Sequence, residues 1–129
     1  MTALLDTNVI LRFLLGGSPE QVAAAHELFE SDLELILTDM VVAECEWVLR
    51  SSYGLERQAI AGLLGALISL RNLIIPGEDV LSDAINKYRW TRVDFTDAYL
   101  AASALSFGTD RIASFDRNFD QLPQVKRIP

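Results

Sequence analysis

The sequence predicts an α/β fold: one domain spanning residues 1–129, built on a mostly parallel four- to five-stranded sheet with helices on both faces. Three observations predict it. Short apolar runs alternate with longer segments of helical periodicity along the whole chain, which is the pattern of parallel strands joined by helical crossovers. Half of the residues are hydrophobic, enough for a real core in a chain of 129. Two of the apolar runs end directly in an aspartate, a residue that strands disfavour and that is costly to bury alone.

The opening stretch, MTALLDTNVILRFLL, is a buried strand ending at Asp6-Thr7-Asn8 and feeding a helix. Asp6 or Asn8 can serve as the N-cap of that helix; the carboxyl end of a parallel strand is also where α/β sheets bind ligands. After the break Gly16-Gly17, Ser18 caps a second helix with Pro19 at its first position, and Val22, Ala25, Leu28 and Phe29 share one face. LELILTD reads as the second strand, with Thr38 or Asp39 capping the helix MVVAECEWVLRSSYG and Gly54 ending it. A small-residue helix, LERQAIAGLLGALISLRN, leads to a third strand, NLIIPG. EDVLSDAINKYRW and FTDAYLAASALSFG follow as helices, RIASFD as the fourth strand and QVKRI as a possible fifth.

Composition removes several chemistries. One cysteine (Cys45) and one histidine (His26) exclude a disulfide framework and a Cys/His zinc site. Paired imidazoles for RNA hydrolysis are excluded as well. His26 lies in an Ala/Glu-rich helical stretch with no nucleophile motif and reads as a surface or boundary residue. No run is long enough to span a membrane and the amino terminus lacks signal-peptide features, so the expected location is cytoplasmic. The net charge is −7, and between Glu20 and Glu46 there are eight carboxylates and no Lys or Arg. Such a balance argues against a passive nucleic-acid binder but suits a site whose acids hold divalent cations.

Four acids do not behave like scattered surface charge. At 100° per residue, Glu44 falls among Met40, Val41, Trp47 and Val48, on the apolar side of its helix, whereas Glu46 pairs with Arg50 at i,i+4 in the manner of a solvated ion pair. Asp94 and Asp97 share the start of their helix, where they can cap it, bind metal, or do both. Ala98, Ala101, Ala102 and Ala104 let that helix sit close to its neighbours. Asp116 repeats the placement of Asp6, just past a buried strand, while Asp120 and Arg117 read as surface residues. Carboxylates gathered at one sheet edge would repel one another without cations. Oxygen ligands with no His or Cys select Mg²⁺, or Mn²⁺, over zinc. Such sites direct water at a phosphodiester without a histidine base.

LLDTNVIL, VVAECEWVL, DFTDAYLAASAL and IASFDRNF, in this order, resemble the four successive motifs of PIN-domain ribonucleases. Size and order resemble the VapC toxins of bacterial toxin-antitoxin pairs, over essentially the whole chain. The resemblance implies catalytic acids at Asp6, Glu44, Asp97 and Asp116, with Asp94 joining Asp6, Asp97 and Asp116 as metal ligands. Asn8 and Ser114 match polar positions that orient the first and fourth acids. It further implies cleavage of structured RNA, tRNA or rRNA, leaving a 5′-phosphate and a 3′-hydroxyl; a homodimer; and inhibition by a VapB antitoxin whose tail covers the acidic site, often with an arginine.

Lys87, Tyr88, Arg89, Trp90 and Arg92 place cations and aromatics just before Asp94, a stretch fit to hold phosphates and stack an unpaired base. It equally describes a basic helix end with Trp90 in the core. A haloacid-dehalogenase-like phosphatase would need a second acid where Asn8 stands, and a receiver domain needs a central Asp and a late Lys that are not paired here. The reading from a different class is a non-catalytic RNA-binding or protein-interaction domain on the same scaffold.

Overall fold

The computed structural model describes residues 1–129. Strand β1 (Thr2–Leu4) leads into helices α1 (Thr7–Leu15) and α2 (Pro19–Glu30), then β2 (Glu34–Ile36), α3 (Asp39–Ser51) and α4 (Arg57–Ile68). Strand β3 (Leu73–Ile74), α5 (Glu78–Trp90), α6 (Phe95–Ser106) and β4 (Arg111–Ala113) follow. A short 3-10 helix (Arg117–Gln121) and β5 (Lys126–Ile128) complete the chain. All strand pairings are parallel, as the alternation of elements requires.

The five strands form two ladders: β1-β2-β3, with Thr2 opposite Glu34 and Leu35 opposite Leu73, and β4-β5, with Arg111 opposite Lys126. The expected single sheet is thus divided. Strands of two or three residues make few backbone bonds, and what joins the ladders is packing. Leu5, Leu35 and Leu37 lie in the same continuous core as Ile112, Phe119 and Val125. Around that core α5 packs on α4 and α6, α1 packs on α2, and α3 touches α1, α4 and α6.

Local chemistry sets the helix limits. The Ser18 hydroxyl accepts from the Gln21 N–H, with Pro19 in the first turn, and the Thr38 hydroxyl accepts from the Val41 N–H. Helix α3 stops at Ser51, short of Gly54, whose φ of 65° turns the chain toward α4. His26 is exposed on α2, its ring 4.7 Å from that of Phe13.

Candidate metal centre

Asp6 follows β1 at the N-cap position of α1, and Asp94 holds the same position on α6. Neither side chain makes a capping hydrogen bond. Both carboxylates are exposed and free for another partner. Asp97, one turn into α6, is half-buried. Burial lifts its carboxyl above the ordinary carboxylate range, and so do the negative charges of Asp116 and Asp94 and a hydrogen bond with the Asp116 side chain. Asp94 and Asp116, at the start of α6 and past the end of β4, are thus each within charge range of Asp97.

Asp116 is positioned by its own turn. Its N–H donates to Ser114 Oγ at 2.9 Å, and its Oδ1 accepts from the Asn118 N–H at 2.9 Å, starting the 3-10 helix. Ser114 is anchored in turn by its N–H, which donates to the Ile128 carbonyl at 2.9 Å. This gives Ser114 a local role: it fixes the backbone that presents the acid. Asn8 is exposed in the first turn of α1, and its side chain makes no hydrogen bond within the chain.

Asp6 and Glu44 are related through Cys45. Burial pushes the Cys45 thiol up to about 12, helped by the charges of Glu44 and then Asp6. The thiol is thus neutral and enclosed, and offers no thiolate to a metal.

The helical wheel of α3 needs correction. Met40 and Trp47 are exposed, and Glu44 projects with them toward solvent. The stripe facing the core is Val42, Cys45, Glu46 and Leu49. Glu46, expected on the surface, is only 5% exposed. Its Oε2 accepts from Arg50 Nε at 2.9 Å and from the Tyr88 hydroxyl at 2.9 Å. Helix α3 has apolar residues on two sides, and its packing on α1, α4 and α6, with the Tyr88 hydroxyl of α5, decides which side is inside. A buried carboxylate is tolerated because both donors satisfy it.

The basic stretch also divides. Lys87 is 10% exposed on its side chain and is bonded to both Asp83 oxygens, at 3.0 and 3.1 Å. Arg89 lines a cavity of about 500 Å³ between α4 and α5 with Asp79, Asp83 and Asn86. Lys87 is therefore held by Asp83, whereas the Arg89 guanidinium makes no ion pair. Trp90 is 69% exposed, not in the core, and Arg92 is exposed, its N–H donating to Gln121 Oε1 beside the 3-10 helix.

Arg57 has a role that no sequence motif announced. Its guanidinium donates to the carbonyls of Tyr88, at 3.0 Å, and Val93, at 2.7 Å, and lies 4.3 Å from the centre of the Tyr88 ring. It closes the end of α5 and holds the turn that delivers Asp94. Tyr99, through a short hydrogen bond to Asp39, ties α6 to the start of α3.

The chemistry of the donor set fits a hard divalent cation: carboxylate oxygens, no imidazole, no thiolate. No three of the acids stand in a geometry that would hold one ion. None of Asp6, Glu44, Asp94, Asp97 or Asp116 forms an ion pair, although Glu46, Asp83 and Asp120 each do.

The family model for the PIN domain matches residues 3–125. A VapC ribonuclease of Mycobacterium bovis and the ribonuclease VapC13 of Mycobacterium tuberculosis are each 32% identical to the chain. Each alignment covers 97% of this chain and 98% of the relative. No helix is long and apolar enough to cross a membrane. On the match over nearly its whole length and on these relatives, the chain belongs to the PIN domain family.

Proposed function

We propose that the chain is a divalent-metal-dependent endoribonuclease, the VapC toxin of a type II toxin-antitoxin pair. The observation that carries this reading is the unneutralised set of acids at one end of the parallel strands. Asp97 feels the charges of Asp116 and Asp94, and Cys45 those of Glu44 and Asp6, and none of these acids is paired with a cation of the protein itself. The two relatives named as ribonucleases support the same conclusion.

Asp6, Asp94, Asp97 and Asp116 would hold Mg²⁺ or Mn²⁺, with Glu44 at the edge of the set. When bound, the cation supplies the positive charge that makes water nucleophilic and stabilises the departing oxygen of an RNA phosphodiester. The protein's part is to place the acids. Ser114 and the Asn118 N–H fix Asp116, and Arg57 fixes the turn before Asp94. Arg89, Trp90 and Arg92 remain as RNA contacts. An uncompensated acid set is also a receptor for an arginine, which is how a VapB antitoxin tail would silence it. A homodimer and a cytoplasmic location belong to the same reading.

The test is incubation of the purified chain, free of partners, with total tRNA and rRNA in Mg²⁺, Mn²⁺ or EDTA, beside Asp6→Asn and Asp97→Asn. Discrete fragments that require the metal and disappear in both folded variants are expected. RNA bound alike by all three proteins and cut by none would favour the binding-module reading.

A further inference from the structure

The mechanism leaves Phe115 without a task. Its side chain is 89% exposed, although it stands in the chain between Ser114 and Asp116. The backbone on either side is pinned: Ser114 to the β5 carbonyl of Ile128, Asp116 to Ser114 Oγ, and Asn118 to Asp116 Oδ1, each at 2.9 Å. The ring therefore projects from a hydrogen-bonded turn, adds nothing to the core, and sits next to an acid of the metal centre. Phe107 is almost as exposed, but lies at the opposite end of α6 from Asp94 and Asp97, roughly 18 Å along the helix axis.

The chain carries −7, and several of its cations are committed: Arg50, Lys87 and Arg127 to ion pairs, Arg57 to backbone carbonyls. Arg117, exposed beside Asp116 and in no ion pair, is left to meet the adjoining phosphate. Stacking on a π-face needs no charge, tolerates any base, and requires that the base be unpaired.

We propose that Phe115 is a stacking platform for an unpaired base of the RNA, next to the phosphate presented to Asp116. The proposal rests on the ribonuclease reading above and narrows the substrate to single-stranded loops, bulges or ends. A platform held on a rigid turn loses little freedom when the base arrives.

The experiment uses Asp97→Asn protein and a short single-stranded oligoribonucleotide carrying the fluorescent base 2-aminopurine, in Mg²⁺. Stacking quenches the base, and the expected result is quenching that Phe115→Ala removes, with affinity falling about tenfold or more. Phe115→Trp preserves both, and Phe115→Leu behaves like the alanine variant, because a π-face and not apolar area is required. All four proteins keep the same melting temperature, since the ring packs on nothing. Equal affinity and quenching in Phe115→Ala, or no quenching in the Asp97→Asn parent, overturns the proposal. Quenching that depends on Phe115 supports the platform even where the unsubstituted chain cuts no RNA, so the two readings fail separately.

Discussion

The Asp116 carboxylate raises the proton affinity of Asp97, though one stands on α6 and the other follows β4. Two acids brought together from separate elements, without a cation between them, cost the metal-free fold stability.

Replacing Asp97 by Asn should stabilise the metal-free protein. The raised proton affinity of Asp97 means that its favourable contribution is fully present below the ordinary carboxylate range and is lost as pH rises through its folded value. Near neutral pH the ionised group opposes folding. Solvent screening keeps the gain small, and it should show as a modest rise in Tm. Thermal melts in EDTA should show the gap between variant and parent closing as pH falls to about 4.

Cys45 should be inert to thiol reagents at pH 8 until the fold opens, since its thiol is buried and pushed up to about 12. A thiol whose folded value is raised contributes stability that is present below its unfolded value, near 8.5, and lost as pH climbs toward the folded one. Denaturant titrations at pH 8 and 10.5 should show the parent losing more stability than Cys45→Ala, by up to about 1.4 kcal/mol per pH unit. Equal losses would mean that the thiol is not shielded.

Tyr88→Phe removes one of the two donors to Glu46 while preserving the ring that meets Phe95 at 5.7 Å. The buried carboxylate then relies on Arg50 alone, and we expect a loss of about 1–3 kcal/mol, measured by chemical denaturation. RNA cleavage at a temperature where both proteins are folded should be unchanged.

Arg57→Ala should act on the metal centre from a distance. Losing the bonds to Tyr88 and Val93 frees the turn that presents Asp94, and metal affinity should fall about tenfold, with Arg57→Lys intermediate. Calorimetric Mn²⁺ titration of variants shown to be folded by circular dichroism checks it.

The order of strands and helices was legible because each element carries its own signal: EDVLSDAINKYRW is α5 from first residue to last, and Ser18-Pro19 opens α2 as its chemistry dictates. The acids of the motifs were legible because Asp6 and Asp116 each follow an apolar run. What failed was orientation. Glu46 looked solvated beside Arg50, and nothing local says that Tyr88, forty-two positions on, donates to it from α5. Lys87 looked free, yet Asp83, one turn earlier on the same helix, holds it. Arg57 was invisible for the same reason, since its acceptors are backbone carbonyls that no side-chain pattern encodes. The division into two ladders depends on strand lengths of two or three residues, which apolar runs of five or six overstate.

The central claim is that the acids at the end of the parallel strands bind a divalent cation together. The measurement that meets it most directly is calorimetric titration of Mn²⁺ into the metal-free chain, alongside Asp97→Asn, Asp116→Asn and, as a control away from the site, Asp83→Asn. The account predicts saturable binding by the parent and the control, weakened at least about tenfold in both site variants. Binding of equal strength in all four proteins, or none in the parent, would contradict it.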